Sequence, residues 1–123
     1  MNGSMPIWCK EELQRMAASS PTREICGFIM REWRIHLIDN IAPVDREFYM
    51  DESQQLDAML EWRGEILGVY HSHPSGNPTP SCKDIENAPR GMRYWIITMS
   101  EVVEWEIKNG IAQAREVDAE IVA

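Results

Sequence analysis

Two histidines and a carboxylate that can bind a metal ion lie close together in the middle of the sequence, at His71, His73 and Asp84. The apolar run at 66–70 is typical of a buried strand, and residues two apart on a strand point to the same side. Both imidazoles are therefore expected on one face of a sheet. Prolines and glycines then break the strand. Ser81 is a favoured helix N-cap that places Asp84 in the first helical turn.

Two histidines, one carboxylate and an open fourth position form the ligand set of a catalytic zinc, whereas structural zinc sites are usually closed by four protein ligands. Each feature also has an ordinary explanation, since strands often end in polar residues and Ser-x-x-acid is a common helix start. The combination of His-x-His, seven residues and Ser-x-x-Asp is much more specific than its parts. We therefore predict one zinc ion per chain, bound by His71, His73 and Asp84.

The segment 71–84 resembles the motif of the JAMM, or MPN-plus, metallopeptidases, which reads His-x-His-x7-Ser-x-x-Asp. That family also uses an upstream glutamate, often just before a small apolar strand with a glycine, and Glu24 precedes the run Ile-Cys-Gly-Phe here. The resemblance covers most of the chain, and the short length is most similar to the prokaryotic JAB-domain branch. Members of that branch occur alone, beside sulfur-carrier and ubiquitin-like systems, and in phage tail-assembly proteins.

The resemblance implies a zinc-dependent metallopeptidase or isopeptidase that hydrolyses an amide bond. Zinc can lower the pKa of a water to roughly 7, which makes hydroxide available at neutral pH. By resemblance, Glu24 is the general base that takes the proton of this water and later hands it to the leaving amine. Ser81 is expected to donate a hydrogen bond to the oxyanion, although capping of the helix is a competing role for its hydroxyl.

Two other functions remain open from the sequence. A zinc deaminase would carry a His-x-Glu pair and Pro-Cys-x-x-Cys, and the sequence has neither. A catalytically inactive binding or scaffold module of the same fold would have broken ligands, whereas every motif residue is present. The substrate is also open between a ubiquitin-like or sulfur-carrier tail, a peptide in cell-wall or phage-tail processing, and a small amide.

Helical and strand patterns around the motif predict the elements that position it. Helices are expected at 6–19, 51–63 and 81–88, and strands at 24–30, 33–40, 65–73, 94–99, 102–108 and 111–117. Asn109-Gly110 favours a type I′ turn between the last two strands. This order predicts an α/β fold, a single JAB/MPN-like domain over residues 1–123 with a mixed sheet flanked by helices, which by resemblance is related to cytidine deaminases.

Several neighbouring residues are expected to have structural roles. His36 is expected on the surface of a strand and Cys26 in the core. Cys82 is not expected to bind the metal, because successive side chains in the first turn of a helix point in different directions. Phe48 is expected to plug the core, and Tyr49 stays undecided between the core and the wall of a cleft.

The charge of the chain excludes several classes of partner. Its 123 residues include 20 acidic and 12 basic side chains, a formal net charge of −8. We therefore expect no nucleic-acid partner and no docking on an anionic membrane. The sequence shows no membrane-length apolar run and no signal-peptide pattern, and its three cysteines lack a Cys-x-x-Cys pair, so we expect a cytoplasmic protein with reduced thiols. The oligomeric state is not predicted, and Asn2-Gly3-Ser4 fits either a cloning remnant or a natural start.

Overall fold

The computed structural model describes residues 3–115 and contains a six-stranded sheet and three α-helices within them. The helices are α1 (Ile7–Ala18), α2 (Glu52–Glu61) and α3 (Cys82–Asn87). The strands are β1 (Cys26–Met30), β2 (Arg34–Ile38), β3 (Ile66–Ser72), β4 (Arg93–Ile97), β5 (Val102–Lys108) and β6 (Ile111–Ala114). Each predicted element is present with slightly different bounds, and the predicted end of the last strand at residue 117 lies outside the described residues.

The strand with the two histidines lies inside the sheet, which has the order β2-β1-β3-β4-β5-β6. β3 and β4 are parallel and are connected through α3, whereas the other neighbouring strands are antiparallel. This arrangement confirms the predicted mixed α/β sheet. β1 pairs with one edge of β3 and β4 pairs with the other, so the residues at the end of β3 are held from two sides.

The first two helices cover opposite faces of the sheet, as predicted. Cys9, Leu13 and Ala17 of α1 share one buried cluster with Tyr70 of β3. Ala58 of α2 and Val69 of β3 belong to the buried cluster on the other face of the sheet. Since side chains alternate along a strand, the next residue after Tyr70, the first motif histidine, points to the α2 face.

The spacing of Leu56, Met59 and Leu60 predicts that they form the apolar face of α2, and the structure does not place this face in the core. Leu56, Met59 and Leu60 are 56%, 40% and 59% exposed, whereas Ala58 is 2% exposed. The 3.6-residue period identifies an apolar stripe but not the side of the helix that packs on the sheet. Here the small side chain of Ala58 faces the core. In α1, helical spacing predicts a core face that includes Ile7, Leu13 and Ala17; Leu13 and Ala17 are buried, whereas the prediction is wrong for Ile7, which is 69% exposed.

The turn of the last hairpin has the predicted type I′ character. Asn109 and Gly110 join β5 to β6 with φ values of 54° and 76°. Two consecutive positive φ angles define this turn and match the right-handed twist of the strands.

Gly27 is a point of very close approach between strands, which is a common reason for a glycine inside a strand. A Cβ at this residue would overlap the carbonyl oxygen of His36 and would lie 2.9 Å from the ring of Tyr70. Only hydrogen fits, so β1 can lie tightly between β2 and β3. Because Tyr70 immediately precedes the first motif histidine, this packing also fixes the strand that carries the site.

Gly27→Ala is expected to lower the free energy of unfolding by about 1–3 kcal/mol or more, because the added methyl group would push apart packed strands. Denaturant unfolding followed by tryptophan fluorescence measures the change. Gly3→Ala is the matched control, since nothing lies within 4 Å of a Cβ at that position. Equal stabilities of the two variants would contradict the close packing at Gly27.

Candidate metal centre

Glu24 and His71 meet in a buried position at one end of the sheet. The Oε1 atom of Glu24 lies 3.1 Å from His71 Nδ1, and the two residues are 5% and 0% exposed. The pairing of Cys26 with His71 brings the start of β1 beside the end of β3. Two hydrogen bonds between Ile25 and Ser72 extend this pairing toward the site. The structure therefore brings together the glutamate and the histidine that the sequence analysis selected.

Asp84 adds a second carboxylate beside both motif histidines. Its Oδ2 lies 3.2 Å from His73 Nε2, and its Oδ1 lies 3.6 Å from His71 Nε2. His73 Nδ1 lies 2.7 Å from the backbone carbonyl of Asn77. Because a carbonyl oxygen only accepts hydrogen bonds, Nδ1 carries a proton. His73 therefore offers Nε2 as its ligand atom.

Ser81 caps α3 and holds Asp84 in place. Ser81 Oγ accepts a hydrogen bond from Asp84 N over 3.1 Å, and Asp84 Oδ2 accepts one from Ser81 N over 2.9 Å, a reciprocal capping box. The cap uses Ser81 Oγ as an acceptor, so the hydroxyl proton remains available for donation. Capping and hydrogen bonding to an oxyanion are thus compatible roles for this residue.

The donor atoms at this site fit a zinc ion. One ligand atom from each of Glu24, His71 and His73 lies within 4.8 Å of the others, and Asp84 contacts both imidazoles. Among the described residues, the set with Glu24 is the one whose ligand atoms are mutually close, whereas the set with Asp84 uses a different carboxylate oxygen toward each imidazole. Either consists of two imidazoles and a carboxylate, which is a donor set of catalytic zinc. The set with His71, His73 and Asp84 remains our prediction.

Charge interactions at the site favour a pair of His73 and Asp84. Burial lowers the pKa of His73, but hydrogen bonds to Asp84 and to the carbonyl of Asn77 outweigh it and raise the pKa above its ordinary value. Burial raises the pKa of Asp84, but the His73 hydrogen bond, the charge of His71 and the backbone N–H of Ser81 bring it below its ordinary value. A metal bound by His73 Nε2 must displace a proton there, so acid weakens metal binding.

Two aromatic residues contact His71, and the sequence assigned neither a role in the site. The ring of Phe48 stacks on the imidazole with a centroid distance of 4.2 Å and an interplanar angle of 22°. Phe48 packs against the core cluster as predicted, but it is only partly buried and also lines the neighbouring cavity. The Tyr94 hydroxyl lies 2.9 Å from His71 Nε2. Tyr94 sits in an apolar run far from the motif, and only the pairing of β3 with β4 reveals its proximity.

A cavity of about 740 Å³ lies beside these residues. Phe28, Val69 and Tyr94, from three adjacent central strands, line it together with residues of the segment 42–50 and the start of α3. Tyr49, whose place in the core or in the wall of a cleft is open from the sequence, lines this cavity and is 51% exposed. The strands that line the cavity are all central, since the edge strands of the sheet are β2 and β6. The cavity therefore lies on a face of the sheet and not along its edge.

The remaining candidate residues lie where the sequence analysis expected them. His36 pairs with Phe28 in the sheet and is partly exposed. Cys26 is buried, and Cys82 is exposed and is not part of the ligand group found among residues 3–115. Cys9, Cys26 and Cys82 are unpaired with one another in the structure. Within the described part of the chain, no helix has the length and hydropathy needed to cross a membrane.

The chain resembles known proteins over most of its length. Residues 9–108 match the model of a family described as prokaryotic homologs of the JAB domain. A desampylase of Pyrococcus furiosus is 33% identical over 108 residues, which cover 79% of this chain and 77% of the relative. A desampylase of Haloferax volcanii is 30% identical over 82 residues, which cover 58% of this chain and 59% of that protein.

Solved structures show the same fold. A protein from Desulfitobacterium hafniense has a TM-score of 0.74 at 26% identity, with 89% of this chain and 87% of that chain covered. A protein from Salinibacter ruber has a TM-score of 0.59 at 19% identity, with coverage of 91% and 88%, and supports the fold alone. Both solved structures are similar over nearly their whole length, so the resemblance extends well beyond the short motif.

Zinc analysis of purified variants tests the ligand assignment. The wild-type chain is expected to hold one zinc, and His71→Ala, His73→Ala and Asp84→Ala should each lose most of it, because a three-ligand site loses one donor. Elemental analysis after dialysis measures the content. His36→Ala, which removes the histidine outside the site, should keep full zinc. Zinc retained by Asp84→Ala but lost by Glu24→Ala would replace our ligand set by the one with Glu24.

Proposed function

Because the chain belongs to the family of prokaryotic JAB-domain homologs, we propose that it is a zinc-dependent hydrolase of amide or isopeptide bonds. The observation that carries the proposal is the convergence of Glu24, His71, His73 and Asp84, whose side chains are all at most 10% exposed. When bound, zinc supplies Lewis acidity and lowers the pKa of a water to about 7. The protein residues then have to move the proton and stabilise the oxyanion.

Glu24 is our candidate for the general base. Its carboxylate lies 3.1 Å from His71, its sole ion-pair partner within residues 3–115. The side chain of Asn40 donates a hydrogen bond to the backbone carbonyl of Glu24 over 2.9 Å, so the residue is anchored through its backbone and not through its carboxylate. Such a group can accept a proton from a water and deliver it to the leaving amine.

Ser81 is our candidate for an oxyanion donor. It lines the same cavity as Asp84, and its hydroxyl proton is not used by the helix cap. A fixed hydroxyl stabilises an oxyanion well, because it needs no reorganisation when charge develops. The capping box supplies this rigidity by fixing the backbone on which the hydroxyl sits.

Burial of the catalytic groups indicates the shape of the substrate. Glu24, His71 and Asp84 are 5%, 0% and 9% exposed, so the surface of a folded protein cannot reach them. An extended chain with small residues at the bond can enter beside the 740 Å³ cavity. We infer that the substrate is the flexible tail of a peptide or protein. A ubiquitin-like or sulfur-carrier protein is the leading candidate, because both relatives are named desampylase.

The other candidate functions have less support. An inactive scaffold has no need to keep four metal-binding side chains together in a buried site, where each unpaired polar group costs free energy. A deaminase would use a different ligand set. Peptides of cell-wall or phage-tail processing and small amides fit a buried hydrolytic site, but the relatives do not point to them.

Glu24→Gln separates the base from a metal ligand. The amide keeps the size of the side chain but cannot take up the proton, so zinc content and melting temperature should stay close to wild type. Turnover should fall by about 10²- to 10⁴-fold, the usual contribution of general acid–base catalysis, or by more. Hydrolysis and zinc content measured in the same sample give the answer. Removal of zinc from the wild type by a chelator should cause a similar loss, reversed when zinc is added.

Glu47→Gln is the matched control, because Glu47 also lines the cavity but pairs with Lys83 on the surface at 2.9 Å. It should retain most of the activity. Zinc lost together with activity in Glu24→Gln would make Glu24 a ligand. Activity kept in Glu24→Gln and lost in Glu47→Gln would move the base to Glu47.

Cleavage of tails of graded length tests the inferred substrate shape. An isopeptide-linked ubiquitin-like protein with a full flexible tail should be cut much faster than the same protein with a tail shortened until its folded body adjoins the bond, because the body cannot enter the buried site. Steady-state rates on the two conjugates and on the free tail peptide measure this. Equal rates on the long and short tails would rule out the need for an extended segment.

A further inference from the structure

We propose that Asn40 is a positioning residue of the site, whose side-chain amide ties one wall of the cavity to the backbone of Glu24. This inference rests on the proposed hydrolase function and names a further residue on which that function depends. The segment 41–49, which follows Asn40, places Phe48 against the imidazole of His71 and forms much of that wall. Substrate binding and proton transfer then depend on the same amide.

The register of the sheet places Asn40 opposite the proposed base. β1 and β2 are antiparallel, and Cys26 pairs with Ile38. When this register is continued by two residues, Glu24 lies across from Asn40. The amide of Asn40 donates its hydrogen bond of 2.9 Å to the backbone carbonyl of Glu24 from this position. The bond fixes the backbone from which the carboxylate projects and leaves the carboxylate itself unused.

The same amide forms three further hydrogen bonds, all to the backbone of segment 41–49. Nδ2 donates to the carbonyl of Glu47 over 3.0 Å. Oδ1 accepts from the N–H groups of Ala42 and Tyr49 over 2.9 Å and 3.0 Å. A side-chain amide has two N–H donors and an oxygen with two lone pairs, so all four hydrogen bonds that Asn40 can form are present. The segment is therefore wrapped around one side chain.

Other contacts hold the two ends of the segment together without this amide. Ile41 N donates to the carbonyl of Tyr49 over 2.8 Å. The guanidinium of Arg23 donates hydrogen bonds of 2.7 Å to the backbone carbonyls of Asn40 and Ala42. Loss of the Asn40 amide is therefore expected to loosen the segment and to leave the rest of the fold in place.

The bonds of the amide bear directly on the part of the segment that faces the site. Glu47 and Tyr49 flank Phe48 in the chain, so the backbone on both sides of the ring that stacks on His71 is fixed. A displaced segment moves the wall along which an extended tail has to lie, and a displaced Glu24 moves the base. An error of about 1 Å in such positions can lower a rate by roughly 10²-fold.

Asn40→Asp tests the role of the amide at constant shape. The carboxylate keeps the acceptor oxygen but places a second oxygen against the carbonyls of Glu24 and Glu47, which cannot donate to it. On an isopeptide-linked ubiquitin-like protein, we expect KM to rise and kcat to fall, with kcat/KM lower by about 10²-fold. Zinc content should match the wild type, because the amide contacts no proposed ligand. A smaller folded fraction alone would lower kcat and leave KM unchanged.

Gln54→Glu is the matched control. The amide of Gln54 also bridges two segments, since it accepts from Asp39 N over 2.8 Å and donates to the Asp39 carboxylate over 2.9 Å. The substitution adds the same charge beside the residue that precedes Asn40, but the hydrogen bonds of Gln54 reach neither Glu24 nor segment 41–49. Gln54→Glu should keep the wild-type kcat and KM, even where its melting temperature falls.

Amide hydrogen exchange followed by NMR tests the geometry without a substrate. In the wild type, the amides of Ala42 and Tyr49 should exchange slowly, whereas the amide of Asp45, which donates no hydrogen bond within residues 3–115, should exchange fast. Asn40→Ala lacks the acceptor and should speed exchange at Ala42 and Tyr49, while the amides of β1 and β3 stay as protected as in the wild type. Circular dichroism melting curves verify that each variant is folded.

The outcomes separate this inference from the proposed function. Wild-type kcat and KM in Asn40→Asp, or an equal loss in Gln54→Glu, would overturn the role of Asn40 and leave the proposed hydrolase intact. Fast exchange at Ala42 and Tyr49 in the wild type would do the same without any variant. Zinc lost in Asn40→Asp would move the effect to the metal centre and would also overturn the inference. A wild-type chain that cleaves no conjugate would overturn the proposed function, and the dependence on Asn40 with it.

Discussion

The imidazole of His71 is completely buried, and both of its nitrogens must find partners within the protein, because an unpaired polar group costs free energy in the interior. Glu24 lies against one nitrogen, and Tyr94 and Asp84 lie against the other. Phe48 covers the ring. These four residues come from separate segments of the chain, so the fold has to bring all of them to one point, and small shifts of any strand would separate them.

The sheet provides this precision through its interior strands. β3 pairs with β1 on one side and with β4 on the other, and the close contact at Gly27 keeps the first pair tight. The helix cap at Ser81 then fixes the position of Asp84. Sites supported by regular elements and by hydrogen bonds from surrounding residues hold their geometry better than sites on free loops. The long proline-containing loop between β3 and α3 is therefore bounded by two rigid ends.

The sequence predicts those parts of the site that depend on local spacing. The two-residue period of a strand places His71 and His73 on one side, and the Ser-x-x-Asp pattern places Asp84 in a capping box. Contacts between residues that are far apart in the chain are harder to predict from the sequence. The contact of Tyr94 depends on the register of β3 with β4, which no local pattern specifies, and the exposed Leu60 shows that an apolar stripe does not reveal which side of a helix packs. Glu24 was found by resemblance to a family rather than by spacing.

A crystal structure of the zinc-loaded chain, with anomalous differences collected on both sides of the zinc absorption edge, tests the central claim most directly. The account predicts one anomalous peak within about 2.0–2.2 Å of nitrogen atoms from His71 and His73 and a carboxylate oxygen of Asp84. The carboxylate of Glu24 should lie outside this distance, near an open coordination position. A peak coordinated by Glu24 in place of Asp84, or no peak at this site, would contradict the account.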